Sequence, residues 1–133
     1  MSGRKITYSY LESEGLVNYV GVELETYYDP VNGTFEVYDP SISWKENGFT
    51  KKVFSRFILL PYEEEYSSAA WKLFYERLTE EETELAQSYP YRKGYFGYLR
   101  ETGLIGIYED AKNDVAADVI AAWEQENEVS PNW

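Results

Sequence analysis

Apolar and polar residues alternate through much of the first sixty positions, which is the pattern of half-buried β-strands. The clearest alternation puts Val20, Val22 and Leu24 on one face and acidic residues on the other. The turn-forming sequence Asp-Pro-Val-Asn-Gly follows at residues 29–33, and a second alternating run occupies residues 34–38. Two such runs joined by turn-forming residues predict a β-hairpin.

Weaker alternation indicates further strands on both sides of this hairpin. It occurs at residues 5–11, 42–45 and 49–60, and an Asn-Gly turn at residues 47–48 separates the last two runs. We therefore predict an antiparallel β meander of four to five strands in residues 1–60.

Beyond Pro61 the apolar residues recur with the period of an α-helix. They predict one helix from Ser67, and Thr79 begins a capping box for a second, short helix that ends near Ser88. Further along the chain we expect helices at residues 94–100 and 109–126 and a turn or an extended loop at residues 103–106. Residues 129–133 are expected to form a loose tail, with the alternative that Trp133 folds back.

The predicted last helix has the clearest apolar stripe, and this helix completes the expected layout of the chain. The stripe consists of Val115, Val119, Ile120, Ala122 and Trp123. The prediction is a single α+β domain over residues 1–133, in which the N-terminal meander packs against three to four helices of residues 61–128.

The composition removes most of the side chains that enzymes use for catalysis. The 133 residues include no histidine and no cysteine, but 14 tyrosines, 6 phenylalanines and 4 tryptophans. Carboxylates and phenols remain, and no group of them has the spacing of a known catalytic or metal site. We therefore expect no enzyme activity, no cofactor and no metal.

The N-terminus lacks the apolar run of a signal peptide, and no apolar stretch approaches the ~20 residues that span a bilayer. The absence of cysteine also suits a reducing compartment. These features predict a cytoplasmic protein.

Acidic residues outnumber basic residues by 24 to 12, which gives a net charge of −12. Such a charge disfavours nucleic acid and anionic membranes as direct partners and favours a basic protein. The charge is unevenly distributed, because acids concentrate in residues 61–89 and 101–133 and bases in residues 41–60 and 90–100.

Three aspartates recur every four residues on the predicted last helix, at Asp110, Asp114 and Asp118. Four helical residues rise about 6 Å, which is close to the spacing of successive phosphates on a nucleic-acid strand. Glu80, Glu81 and Glu84 extend the acidic surface on the preceding helical segment. One interpretation is an ordinary solvated helix face.

The other interpretation of these acids is a surface that binds a basic partner. On that basis the function predicted here is an acidic protein-binding inhibitor or adaptor. One form of it is a mimic of nucleic acid, of the kind that phages use in counter-defence, which occupies a basic and nucleic-acid-binding surface.

The alternative function is a small-ligand binding or sequestering module with a pocket lined by tyrosine and tryptophan. Arg56, Arg92, Lys93 and Tyr95 are its candidate ligand-binding residues, and Arg100 is a further cation that could neutralise an anionic ligand. A weaker pattern interleaves the bases of residues 51–56 with phenylalanines, as single-strand nucleic-acid binders do, but the net charge opposes that use.

Several short motifs resemble those of an uncharacterised family of short bacterial proteins. They are Arg56-Phe57-Ile58-Leu59-Leu60-Pro61, Lys93-Gly94-Tyr95-Phe96-Gly97-Tyr98-Leu99, Gly103-Leu104-Ile105 and Trp123-Glu124-Gln125-Glu126-Asn127. Upstream, the segment from Tyr27 to Val37 is similar to the strand–turn–strand of that family. The resemblance covers about two thirds of the chain and implies a layout of strands followed by helices, with no activity attached.

Overall fold

The computed structural model of the chain describes residues 6–89 and 94–133, and within these residues it contains six helices and three strands. The strands are β1 (Glu25–Asp29), β2 (Thr34–Tyr38) and β3 (Ile58–Leu59), and the helices are α1 (Tyr8–Ser13), α2 (Lys51–Phe54), α3 (Glu63–Arg77), α4 (Glu80–Gln87), α5 (Tyr95–Thr102) and α6 (Ile105–Asn127). The α+β class predicted from the sequence is therefore confirmed.

The strands form an antiparallel sheet in the order β2-β1-β3. The predicted hairpin is β1–β2, with Glu25 opposite Tyr38 and Asp29 opposite Thr34. Strand β3 adds only two pairs on the other side of β1, Tyr27 with Leu59 and Tyr28 with Ile58.

The prediction of four to five strands was wrong, because the described residues form three. Residues 8–13 form α1 instead of a strand, and the Thr7 side chain caps this helix by accepting a hydrogen bond from the Tyr10 amide. The alternating run at Val20, Val22 and Leu24 is 69%, 55% and 51% exposed. Gly21 has a φ of +84°, a left-handed conformation that interrupts a strand.

Side chains also replace the expected strands between residues 39 and 57. The Asn47 carboxamide accepts a hydrogen bond from the Asp39 amide and donates to the Asp39 and Ser43 carbonyls. The Thr50 hydroxyl caps α2 by accepting from the Val53 amide. Such local hydrogen bonds compete with ladder formation, and here they prevail.

The helical half follows the prediction more closely. The capping box is present, since the Thr79 hydroxyl accepts from the Glu82 amide at 3.1 Å and the Glu82 carboxylate accepts from the Thr79 amide at 2.9 Å. Helix α3 begins at Glu63, before the expected Ser67, and α6 begins at Ile105, inside the expected turn. The 23 residues of α6 extend about 34 Å.

Two hydrophobic cores lie along α6. The first joins α1, the sheet, the first turn of α3 and the C-terminal half of α6 through buried residues that include Tyr8, Leu11, Tyr28, Leu60, Tyr66, Ile120 and Trp123. The second joins α3, α4, α5 and the N-terminal half of α6 through Ala70, Phe74, Ala86, Tyr95, Leu99, Tyr108, Ala111 and Val115. One helix therefore supports both halves of the fold.

The C-terminal tail was expected to be loose, but in the structure it packs against the first core. The Trp133 ring lies 5.2 Å from the Phe35 ring and 5.8 Å from the Trp123 ring, and its indole donates to the Glu124 carboxylate at 3.0 Å. An aromatic side chain beside an exposed edge of the core gains more by burial than by remaining in water.

Across the described residues, every helix is too short or too polar to traverse a bilayer.

Asn18 connects the segment that precedes β1 to the junction between β3 and α3. Its side chain donates to the carbonyls of Thr26 and Leu60, both at 3.0 Å, and accepts from the Thr26 amide at 2.7 Å. Its backbone amide donates to the Pro61 carbonyl, and its own carbonyl accepts from the Glu63 amide. The residue is 3% exposed, so each of these groups depends on a protein partner.

Replacing Asn18 by Ala should lower the free energy of unfolding by about 2–4 kcal/mol, because the buried Thr26 amide loses its acceptor. Asn18→Asp should destabilise at least as much, since a carboxylate oxygen would face two carbonyls. Urea denaturation measures both, with the exposed Asn132→Ala as control. Equal stability of the Asn18→Ala variant and the wild type would contradict this role.

Candidate functional site

The three aspartates of the predicted ladder all lie on α6, but they are not equivalent. Asp110 and Asp118 are exposed to solvent. Asp114 pairs with Arg77 at the end of α3, with the guanidinium Nη2 2.7 Å from the carboxylate Oδ2. Asp110 and Asp118 form no ion pair with another described residue, and their positions are eight residues apart, or about 12 Å along the helix axis.

Glu80, Glu81 and Glu84 are exposed on α4. The first two lie in the first turn, where a carboxylate stabilises the positive end of the helix dipole. The acidic side chains of α4 make no ion pair with any described residue, and α6 packs mainly against α1, α3 and α5. The structure therefore brings the acids to two neighbouring parts of the helical half without linking them directly.

The bases of the described residues are engaged inside the fold more often than the acids. All 24 acidic residues lie within the described ranges, whereas Arg4, Lys5, Arg92 and Lys93 lie outside them. Three of the described bases form ion pairs, namely Arg56 with Asp29, Arg77 with Asp114 and Lys112 with Glu63. Each of these pairs also uses one carboxylate, so 21 of the 24 acidic residues form no ion pair with another described residue.

Arg56, a candidate ligand residue, is a structural anchor of the hairpin turn. Its Nε and Nη2 atoms donate to the two carboxylate oxygens of Asp29 at 2.9 and 2.8 Å. Asp29 is only 2% exposed and also accepts from the Val31 amide at 3.0 Å and from the Asn32 side chain at 3.1 Å. The geometry does not present the guanidinium to a separate anion.

The pKa of the Asp29 carboxyl is lowered, chiefly by its hydrogen bonds with Arg56. Burial acts in the opposite direction, and the Val31 and Asn32 amides add to the lowering. The pKa of Arg56 is raised by the same pair. Asp29 is therefore ionised throughout the physiological range.

Tyr95, another candidate ligand residue, lies in a different part of the fold from Arg56. Tyr95 is buried in the second core, and its hydroxyl donates to the Ala86 carbonyl at 3.0 Å. Arg92 and Lys93 lie outside the described residues. Arg56 therefore lies beside the sheet and Tyr95 in the helical core, and the side chain of each has a partner inside the fold.

The phenylalanines that interleave with bases at residues 49–57 cover the sheet. The Phe54 ring stacks on Tyr38 at 4.1 Å, and the Phe57 ring lies 5.0 Å from Phe49. Phe54 also contacts Tyr27 at 5.5 Å. These rings are used within the fold, which leaves few flat surfaces in this segment for stacking of nucleic-acid bases.

A cleft of about 320 Å³ lies where α1, α5 and α6 meet, and the sequence patterns did not indicate it. Its lining includes the aromatic rings of Tyr8, Phe96 and Tyr108 and the charged groups of Arg100, Glu109 and Lys112. Phe96 and Arg100 are four residues apart and share a face of α5. That spacing is the signal that could have suggested one wall of the cleft, but the opposite wall requires knowledge of how α5 packs on α6.

Lys112 forms part of the cleft and is already neutralised. Its ammonium pairs with the Glu63 carboxylate and lies 4.2 Å from the centre of the Tyr8 ring and 5.8 Å from that of Tyr108. A carboxylate and two ring faces satisfy this half-buried cation.

Tyr8 begins a hydrogen-bonded chain at the same place. Its hydroxyl is 2.9 Å from the Tyr19 hydroxyl, which donates to the Glu12 carboxylate at 2.8 Å. Since the Tyr19 proton points to Glu12, Tyr8 is the donor to Tyr19. Burial, and then this hydrogen bond, raises the pKa of the Tyr8 phenol. The phenol remains neutral and cannot act as a base near pH 7.

Within residues 6–89 and 94–133, no group of three or more acidic side chains is arranged to hold a metal ion. Comparison of the chain with protein-family models, with curated proteins and with solved structures finds no match. The resemblance to short bacterial proteins therefore stays a prediction.

Replacing Asp29 by Asn should destabilise the protein by about 2–4 kcal/mol at pH 7, because an amide nitrogen would face the Arg56 guanidinium in a buried position. The folded-state pKa of Asp29 lies below its unfolded value, so its contribution is present above about pH 4 and is lost as the pH falls through the lower folded-state pKa. The difference between wild type and variant should shrink accordingly between about pH 5 and pH 2.

Urea denaturation at several pH values measures this difference. Asp39→Asn is the control, because the Asp39 carboxylate accepts hydrogen bonds from Ser41 and has a lowered pKa but has no arginine partner. A difference for Asp29→Asn that is independent of pH would rule out the ionised pair as its cause.

Proposed function

We propose that the chain is an acidic binding protein that acts as an inhibitor or adaptor by occupying a basic surface of a partner protein. The observation that supports this most is the pattern of pairing among its charges. Asp110, Asp118, Glu80, Glu81 and Glu84 are exposed and make no ion pair within the described residues, whereas three bases are held in ion pairs of the fold.

The position of Asp110 and Asp118 on α6 favours this use. Both cores hold the inner side of this helix, so the two carboxylates project from a backbone that is already ordered. Binding through a preorganised surface avoids the entropy loss of ordering a flexible segment. A mobile acidic tail with the same charge would lack this advantage.

The chemistry of the proposed partner follows from the carboxylates. Two carboxylates about 12 Å apart along one helix match a surface on which several arginine or lysine side chains lie side by side. Proteins that bind nucleic acid present such surfaces, so we propose mimicry of nucleic acid as the more specific form of the function. The field of a strongly acidic chain also accelerates encounter with a basic partner.

The proposed function is binding and includes no chemical reaction. The pKa of the buried Tyr66 phenol is raised by burial, as is that of Tyr8, so these phenols are poor bases near neutral pH. The composition, without cysteine, favours a partner in the cytoplasm.

The test is binding to an oligoarginine peptide, measured by calorimetry at about 50 and about 500 mM salt. The double variant Asp110→Asn/Asp118→Asn should bind about fivefold more weakly than wild type at the lower salt concentration, and the affinities should converge at the higher one. The control is Glu14→Gln/Glu23→Gln, which removes the same charge from two exposed positions before β1. The control should lose less than twofold.

Equal losses in the two double variants would show that only net charge matters and would refute a defined surface. Adding Glu81→Gln/Glu84→Gln to the α6 variant asks whether α4 belongs to the same surface, and a further loss is expected. For the mimicry, the chain should displace a labelled single-stranded oligonucleotide from the peptide. Binding to the peptide without displacement would contradict it.

A further inference from the structure

We propose that the cleft between α1, α5 and α6 binds a small zwitterionic ligand that also carries a flat apolar group, such as an aromatic amino acid. This inference goes beyond the acidic binding surface, and it uses residues that the proposed function does not. It uses other side chains than those of Arg56 and Tyr95, two of the predicted ligand residues, which have internal partners.

The size of the cleft suits a ligand of this class. Its volume of about 320 Å³ is at the lower end of the range for small-molecule sites. A single amino acid fits such a volume, whereas a dinucleotide or a large cofactor does not.

Two opposite charges on the cleft walls have no partner of their own. Arg100 lies on α5 and Glu109 on α6, and neither forms an ion pair with the other or with any other described residue. Lys112 differs, because Glu63 and two tyrosine rings already satisfy it. A ligand with a carboxylate and an ammonium group would complement Arg100 and Glu109 together, and a singly charged ligand would complement only one.

An aromatic side chain is exposed beside these charges. Phe96 is 40% exposed and lines the cleft, with its ring 5.4 Å from Tyr108 and 5.5 Å from Trp71. It lies one helical turn before Arg100 on the same face of α5. A flat apolar group bound next to Arg100 would cover this ring.

Helix α6 also supplies a fixed polar group to the cleft, the Asn113 carboxamide, which is bonded to Ser9 of α1. The Asn113 side-chain oxygen accepts hydrogen bonds from the Ser9 amide at 2.9 Å and the Ser9 hydroxyl at 3.0 Å. Because these bonds fix the orientation of the carboxamide, its nitrogen remains a positioned donor with no acceptor among the described residues. A ligand carboxylate would supply one.

The experiment compares three probes that share a phenyl ring. L-Phenylalanine carries both charges, 3-phenylpropanoate carries only the carboxylate, and 2-phenylethylamine carries only the ammonium group. Binding is followed by calorimetry and by tryptophan fluorescence, to which Trp71 contributes a signal from beside the cleft because it contacts the rings of both Phe96 and Tyr108. L-Phenylalanine should bind about fivefold more tightly than either singly charged probe.

Two variants, each of which removes one charge, test which wall of the cleft binds the carboxylate of the ligand and which binds its ammonium group. Arg100→Gln should weaken binding of L-phenylalanine and 3-phenylpropanoate but leave 2-phenylethylamine unchanged. Glu109→Gln should weaken L-phenylalanine and 2-phenylethylamine but leave 3-phenylpropanoate unchanged. The matched controls are Lys72→Gln on α3 and Glu101→Gln on α5, which are exposed and do not line the cleft.

Three results would overturn the proposal. They are absence of saturable binding by all three probes up to roughly 10 mM, equal affinity for the three, and losses in the controls as large as those in Arg100→Gln and Glu109→Gln. The variant Asp110→Asn/Asp118→Asn should bind L-phenylalanine like wild type. Weaker binding of oligoarginine by this variant therefore tests the acidic surface separately from ligand binding in the cleft.

Discussion

One ammonium group, that of Lys112, connects the two hydrophobic cores on which the structure depends. It lies over the Tyr8 ring of the first core, near the Tyr108 ring of the second, and pairs with Glu63 at the start of α3. A half-buried cation is costly unless a carboxylate neutralises it, so the position of α3 relative to α1 and α6 is tied to this pair. In a chain with twice as many acids as bases, a lysine in the interior also neutralises a carboxylate that would otherwise add to surface repulsion.

Local signals explain which parts of the fold could be predicted from the sequence. The hairpin could be predicted from its turn residues and from the alternating run of residues 34–38, which forms β2, and α4 could be predicted from the capping box at Thr79. The alternating run before β1 was wrongly predicted to be part of a strand, because an alternating pattern alone does not supply a partner strand. Gly21 turns the chain there, and β3 offers only two residues for pairing. The number of strands was therefore set by tertiary pairing, which no short window of sequence contains.

The candidate site shows the same division between local and distant contacts. The spacing of Asp110, Asp114 and Asp118 placed them correctly on one helix, but the partner of Asp114 is Arg77, 37 positions earlier in the chain. Arg56 and Asp29 are 27 positions apart, so the use of Arg56 as an anchor could not be inferred from its basic neighbours. The cleft needs three helices to meet, and only the spacing of Phe96 and Arg100 on α5 was visible in advance.

Helix α6 carries both proposed surfaces, and they should respond differently to ionic strength. Glu109 and Asp110 are adjacent in sequence but point about 100° apart around the helix axis. Asp110 belongs to the proposed acidic surface, whose attraction for a cationic partner would act at a distance, so added salt would screen it strongly. Glu109 and Arg100 line the same cleft, where the proposed zwitterionic ligand would have no net charge and would bind by short contacts that salt screens far less. Because the two neighbouring residues belong to proposed surfaces of different chemistry, salt dependence should separate their contributions even when both ligands are present.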